Sequence, residues 1–335
     1  MNMQAAVLVN EGVIEIREIL RPELQSDDDV LICVRSVGIC GSEVHVFRGT
    51  HPYRKAPAIL GHELAGETVS AGSAAIARGL QLGRRVTVDP AWACGACEHC
   101  RSGDYNLCAD RKVLGTAAWP GGFGAYTIAP AGAVVPLPSS LSFVQGAVIE
   151  PLSIGVHLGR RARLQAGESI VVLGTGSIGC MIAAVAHQLG CSKIIGVNVK
   201  AHCLAIAKER MRVTDGLLGL GASQVERVHT LVGARRQGAD AAFVCADDLD
   251  LIDAALRMTR KRGRVVLAAL FGQRVELDPY IIVSKELQVI GSIMSNHRHS
   301  FYLVMGDVDS GLLEIMVQSF RLDSHVCSKC CVLVA

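Results

Sequence analysis

Between residues 169 and 270 the chain alternates short apolar runs with longer stretches in which apolar residues recur at helical spacing. The run SIVVL, Ser169–Leu173, has the length and β-branched content of a buried strand, and CMIAAVAHQLG soon after it has the period of a helix packed on a sheet. Residues 193–197, 239–245 (ADAAFVC) and 264–270 (RVVLAAL) read as further strands, with the helical DLIDAALRMTRK before the last. This repeated order predicts a parallel sheet clad with helices. The apolar stretch 170–189 is interrupted near its start by glycine and polar residues, so it reads as strand, turn and helix, and no membrane span is expected. The basic run RMTRKRGR, residues 257–264, reads as a helix C-terminus whose cations suit the helix dipole.

The pattern breaks down between residues 94 and 108, a turn-rich stretch that could pack as neither core helix nor core strand. Here Cys94, Cys97, Cys100 and Cys108 stand in the spacing C-x2-C-x2-C-x7-C. Four thiolates on short spacers let one loop wrap a zinc ion tetrahedrally, so the stretch reads as a closed structural site. Such a site does no chemistry, which must be sought elsewhere.

With 335 residues, the chain exceeds what one core usually serves, and two domains are expected. A formal charge of +2 offers no electrostatic footprint for nucleic acid. The N-terminus MNMQAAVLVNEG has no charged, apolar or cleavage-site region of a signal peptide, so the thirteen cysteines are expected in a reducing, cytoplasmic setting. Those at Cys33, Cys180, Cys191, Cys203 and Cys245 lie in apolar or helical contexts that suit packed free thiols.

A second constellation lies upstream, in VGICGSEVHVFRGTHPYRKAPAILGHELAG. If the intervening loop folds back, Cys40, His62 and Glu63 form three zinc ligands, one short of a closed shell. Catalytic zinc keeps a position open in this way, and a thiolate plus a carboxylate balance its charge. Neighbours on a strand point to opposite faces, so His62 and Glu63 share one metal only if the backbone bends, which Gly61 allows. Glu150, in VIEPLSIGVH, has two readings: an acid at a helix start before Pro151, or a carboxylate that approaches the metal and exchanges with water.

After Ser169–Leu173 comes GTGSIG, with Gly174, Gly176 and Gly179 between a strand and a helix. This context makes a dinucleotide fold of a pattern that alone is weak: the glycines admit the tight turn and the pyrophosphate, and Ser177 and Ile178 open the helix whose N-terminus takes its charge. Where an acid would end the second strand and hold the ribose hydroxyls, the chain has Asn198, followed by Lys200 and His202. Asn198 bonds hydroxyls without repelling a 2′-phosphate. NAD is the expected cofactor, with NADP admitted.

Together, GICGSEVH, GHELAG, the four-cysteine loop, EPLSIGVH and GTGSIG make the chain resemble the zinc-dependent medium-chain alcohol dehydrogenase superfamily, nearest its sorbitol and threonine dehydrogenase branch. The resemblance runs from the first strand to about Gly291. It implies an α/β architecture: a GroES-like β-rich catalytic domain over residues 1–153 with both zinc sites, a Rossmann doubly wound parallel-sheet domain over 154–285, and a return to the catalytic domain over 286–335, with the active site in the cleft between them. It implies two zinc ions per chain, catalytic at Cys40, His62 and Glu63 and structural at Cys94, Cys97, Cys100 and Cys108. Glu150 matches the carboxylate that assists ligand exchange; Ser42 and His45 match a proton relay. Such a relay also makes chemical sense, since a hydroxyl leading to an imidazole carries a proton outward near neutral pH. The remaining histidines outside the segment that follows Gly291, from His51 and His99 to His325, read as structural.

Two departures stand out. Polyol dehydrogenases of this branch carry an Arg-Tyr pair just after the glycine that corresponds to Gly291; here Met294 and Ser295 occupy those places, which argues against sorbitol itself and turns attention to Asn296, His297, Arg298 and His299. The tail DSHVCSKCCVLVA is divergent, and Cys327, Cys330 and Cys331 lack a partner half for a third metal. The expected activity is hydride transfer between a secondary alcohol, a polyol, sugar alcohol or related hydroxy compound, and NAD(P), in a homodimer or homotetramer. The alternative is a catalytically silent NAD(P)-binding sensor or structural protein, which would have no need of an open metal position; a zinc-knuckle nucleic-acid binder fails on charge.

Overall fold

The structure, a computed structural model, describes residues 1–233, 235 and 237–296, with the backbone of residues 331–333. By contact the described chain divides into one unit of Met1–Glu150, joined by Asn296 and the strand at 331–333, and a second of Pro151–Ser295.

The first unit runs through β1 (Asn2–Asn10), β2 (Val13–Leu20), β3 (Asp29–Gly38), α1 (Gly41–Phe47), β4 (Ala58–Ile59), β5 (Glu63–Ala71), α2 (Ser73–Ala77), β6 (Arg85–Val88), β7 (Ala91–Trp92), α3 (Glu98–Ser102), β8 (Lys112–Val113), β9 (Tyr126–Pro130) and β10 (Val134–Pro136). Its main sheet has the order β10-β6-β5-β3-β17, where β17 is Cys331–Leu333 and β9 also pairs with β3. Strand β3 is the axis of this sheet. Its Val30, Ile32, Val34 and Val37 are buried with Leu64, Val86, Val88 and Trp119, a core that fixes the ends of β3 and β5 side by side. Gly38 at the end of β3 is thereby the register partner of Glu63 at the start of β5.

Helix α4 (Phe143–Ala162) begins in the first unit and, from Pro151, leads the second into β11 (Ser169–Leu173), α5 (Ser177–Gln188), β12 (Lys193–Asn198), α6 (Ala201–Arg210), β13 (Asp215–Leu218), α7 (Ala222–Leu231), β14 (Ala239–Val244), α8 (Asp250–Met258), β15 (Thr259–Leu267), α9 (Pro279–Lys285) and β16 (Gln288–Gly291). The strands are all parallel, in the order β13-β12-β11-β14-β15-β16. Val171, Val172, Ile195, Ala242 and Val265 are fully buried, as continuous apolar runs must be when helices cover both faces of a parallel sheet. A buried polar join ties β11 to β14: Asp240 Oδ2 accepts from the Ser169 N–H at 2.8 Å and hydroxyl at 2.7 Å, and Oδ1 accepts from Arg260 Nε at 2.7 Å.

By contact the second unit runs to Ser295, with β16 as a sixth strand beside β15. Two sequence expectations are corrected. The basic run is mostly strand: α8 ends at Met258 with only Arg257 of the run in its last turn, and its end is capped by Lys285, whose ammonium donates to the carbonyls of Leu256, Arg257 and Thr259 at 2.9–3.0 Å. Glu150 is not a helix-start acid, since α4 begins at Phe143 and Pro151 lies inside it.

Candidate active site

The four cysteines of the loop between β7 and β8 converge. Their sulfurs all lie within 4.8 Å of one another, with Cys97 to Cys100 at 3.5 Å and Cys94 to Cys100 at 3.8 Å. A tetrahedron with zinc–sulfur arms of about 2.3 Å has an edge of about 3.8 Å, so the donor set fits the ion. The backbone assists: N–H groups of Ala96 and Cys97 hold the Cys94 thiol down to about 6. Desolvation and the Cys97 sulfur push Cys100 up to about 12, so thiolates this close ionise together only around a cation. His99, in α3, is not part of the cluster.

Cys40, His62 and Glu63 form the other candidate metal group among the described residues, their ligand atoms also within 4.8 Å of one another. The fold explains why. Cys40 caps α1 two residues beyond the end of β3, and His62 and Glu63 enter β5 opposite that end. Gly61 has φ +93, a left-handed turn that swings consecutive side chains to one place. Gly38 is needed for a different reason: a Cβ there would collide with the Glu63 carboxylate. Thiolate, imidazole and carboxylate in one pocket fit zinc with a position left open.

Sequence reading missed Glu43. It is the third residue of α1, buried, and its Oε2 accepts the Cys40 N–H at 2.7 Å while Oε1 bonds Nδ1 of His62. That leaves Nε2 of His62 for a metal. Burial alone would raise the Glu43 carboxyl; the His62 ring, the adjacent Arg54 and the Cys40 N–H outweigh it and hold the acid down to about 2. His62 is raised in turn, its burial overcome by Glu43 and Cys40. The available signal was the spacing, an acid three residues after the capping position.

Arg54 was also missed, and nothing local marks it. It is 5% exposed, and its Nη1 donates to Ser42 Oγ at 3.2 Å while Nη2 reaches the Gly115 carbonyl at 2.7 Å and Glu43 Oε1 at 3.4 Å. Its own N–H donates to Nδ1 of the buried His51 at 3.1 Å, as does that of Tyr53 at 3.4 Å. That nitrogen must therefore be unprotonated, and burial beside Arg54 lowers His51 to about 4. His45 Nδ1 lies 3.1 Å from Thr50 Oγ1. Glu150 is buried within α4, outside the metal-ligand group.

In the second unit the glycine turn joins β11 to α5. Gly174 has φ +90, and a Cβ on Gly179 would collide with the Gly174 carbonyl, so helix and strand approach as a dinucleotide requires. Gly176 caps α5, with Ser177 and Ile178 as its first residues. Asn198 ends β12; its Nδ2 donates to Thr175 Oγ1 at 3.0 Å and its Oδ1 accepts from the Lys200 N–H at 2.9 Å. The carboxamide thus braces the glycine turn from the next strand.

After Gly291, Ser295 is fully buried with its Oγ 3.0 Å from that of Ser153, and Asn296 donates to the Gly103 carbonyl at 3.3 Å, beside the four-cysteine loop. Ser295 is thus internal, and the Asn296 amide is engaged by backbone. His297, Arg298, His299, Cys327 and Cys330 lie outside the described residues, and of Cys331 only the backbone is described.

The family model for the alcohol dehydrogenase GroES-like domain matches residues 26–139, and that for zinc-binding dehydrogenase matches residues 177–310. The chain is 35% identical over 295 residues to a sorbitol dehydrogenase of Bacillus subtilis, covering 87% of this chain and 82% of that protein. It is 30% identical over 319 residues to an L-idonate 5-dehydrogenase of Vitis vinifera, covering 93% and 85%. A solved zinc-binding dehydrogenase of Sinorhizobium meliloti, bound to NADP, superposes with a TM-score of 0.86 at 30% identity over 100% of both chains.

Proposed function

This chain belongs to the zinc-dependent medium-chain alcohol dehydrogenase superfamily, in its sorbitol dehydrogenase-like branch, and from that premise we propose that it oxidises a secondary hydroxyl of a polyol or sugar acid, and reduces the corresponding ketone, with NAD(P). The observation that carries the reading is the gathering of Cys40, His62 and Glu63 about one point, with His62 oriented by Glu43. When bound, zinc supplies a Lewis acid for the alcohol oxygen and the nicotinamide a hydride acceptor.

The chain's own residues do the rest. Cys40, His62 and Glu63 would hold the catalytic metal, and Cys94, Cys97, Cys100 and Cys108 the structural one. Ser42 accepts the substrate proton and passes one outward, with His45 as the imidazole of the relay. Glu150 serves ligand exchange at the metal. Gly174, Gly176, Ser177, Ile178 and Gly179 would hold the pyrophosphate at the start of α5, and Asn198 would take the adenosine ribose without a charge to repel a 2′-phosphate. Among the described residues no helix is long and apolar enough to cross a membrane. Free thiols at Cys33, Cys180 and Cys245 suit a reducing compartment such as the cytoplasm, and a homodimer or homotetramer is the proposed assembly.

The test is cofactor reduction by a panel of polyols, sugar acids and simple secondary alcohols, with NAD and NADP in parallel, on protein whose zinc has been counted. Two zinc ions per chain with polyol turnover are expected. One zinc, with cofactor binding but no turnover, would instead establish the catalytically silent alternative.

A further inference from the structure

Arg54 occupies a position that its charge alone does not require. A buried guanidinium needs a counter-ion, and Glu43 supplies one at 3.4 Å. The shorter bonds go elsewhere, to the Gly115 carbonyl at 2.7 Å and the Ser42 hydroxyl at 3.2 Å. Space is kept for it, since a Cβ on Gly115 would come within 2.8 Å of Nη2. The backbone of Arg54 is pinned as well, through its N–H to the His51 ring.

We infer that Arg54 is a positioning residue of the oxidation, one guanidinium that fixes both the hydroxyl of Ser42 and the carboxylate of Glu43 that orients His62. The argument rests on the relay reading of Ser42 and on hydrogen-bond valence. Arginine only donates, whereas a serine hydroxyl has one hydrogen and two lone pairs. One lone pair of Ser42 is taken by Arg54 Nη1, so its hydrogen points away from the guanidinium and the other lone pair is open. In the oxidation the substrate O–H bond breaks and a new Oγ–H bond forms at that open lone pair. The original Oγ–H bond breaks as its proton passes to the next acceptor outward, the His45 ring or a water. Ser42 ends unchanged, and no oxidant is consumed in the proton step. Without Arg54 the hydroxyl rotates freely, and the geometry that accepts the substrate proton is only one of its orientations. On its other side the same guanidinium keeps Glu43 against His62, two bonds removed from the metal.

The experiment compares full-length, zinc-loaded wild type with Arg54→Met and Arg54→Lys. It reads kcat, KM, the solvent isotope effect on kcat, thermal midpoint, and the rate of zinc release to a chromogenic chelator. Arg54→Met is expected to lose about 10–100-fold in kcat with KM changed less than about threefold, to show an increased solvent isotope effect, and to release the catalytic zinc several-fold faster. Methylguanidine is expected to restore part of the rate, and Arg54→Lys, with a single ammonium for two partners, to fall between. Unchanged kcat and isotope effect in a folded Arg54→Met protein would overturn the inference. So would a loss of rate that merely tracks loss of folded protein and is not rescued. If wild type itself turns over none of the panel, the functional reading fails separately; faster zinc release from Arg54→Met then still upholds the Glu43 half of the clamp, and an unchanged release rate removes it.

Discussion

Nδ1 of His62 is held by the carboxylate of Glu43, a residue contributed by the helix that Cys40 caps. The bond leaves Nε2 as the nitrogen available to a metal, and because Glu43 also accepts the Cys40 N–H it locks two candidate ligands into one rigid relation. Glu43→Gln keeps the size and removes the charge. It is expected to lower zinc affinity and kcat/KM by about 10–100-fold with the fold intact, measured by chelator competition, steady-state kinetics and circular dichroism. Wild-type affinity in that variant would remove Glu43 from the site.

Cys40→Ser tests the metal group directly. Cys40 is half-buried at the end of a strand whose core is made by other residues, so folding should survive its loss. Activity is expected to drop by at least about 1000-fold, and zinc content to fall from two per chain to one. Turnover at the wild-type rate would refute the assigned ligands.

The structural loop should behave in the opposite way. Cys108 is fully buried, and its sulfur also accepts the Cys94 N–H, so Cys108→Ser breaks a closed shell rather than an open one. A loss of about 3–5 kcal/mol is expected, seen as a fall of roughly 10 °C in the unfolding midpoint. An unchanged midpoint with one zinc missing would mean that the loop holds itself together without the ion.

His51 supplies a pH dependence whose sign follows from its bonds. Nδ1 accepts two backbone N–H groups and the ring is neutral in the folded chain, with a pKa of about 4. In the unfolded chain a histidine titrates near about 6.5, so between those values the unfolded state binds more protons and stability falls as the pH falls. The contribution is complete above about pH 6.5 and is lost on the way to pH 4, a change of about 2–3 kcal/mol. Urea unfolding at pH 7, 5.5 and 4.5 measures it; His51→Asn should flatten the slope, and an equally steep slope in that variant would place the titration elsewhere.

Asn198 offers a test of cofactor choice. Asn198→Asp keeps an acceptor for the Lys200 N–H, and the Thr175 hydroxyl can turn to donate, but a negative charge now faces the ribose. The KM for NADP is expected to rise at least about tenfold relative to that for NAD. Equal shifts for both cofactors would show that the side chain acts only as a brace for the glycine turn.

Much of this was legible in the order of residues because the relevant physics is local. The apolar runs at β11 and β14 are strands buried on both faces, and the GTGSIG turn stands between strand and helix, so the parallel sheet could be read directly. The four-cysteine loop is equally local, since its spacers are too short for the sulfurs to lie far apart. The end of α8 was misread because its capping cation, Lys285, arrives from a later helix. The strand β16 carries no signal separating it from the return segment, and only its pairing with β15 assigns it to the second unit.

The candidate ligand types, the glycines at the bends and the family are legible in the order of residues, because each depends on residue chemistry and on neighbours a few positions away. Which groups surround those ligands is set by long-range packing. Glu43 reaches His62 across nineteen positions, and Arg54 reaches Gly115 across sixty-one. The first contact exists because the pairing of β3 with β5 places the end of one strand against the start of the other; in the second, a buried charge finds its partner wherever the packing has put it.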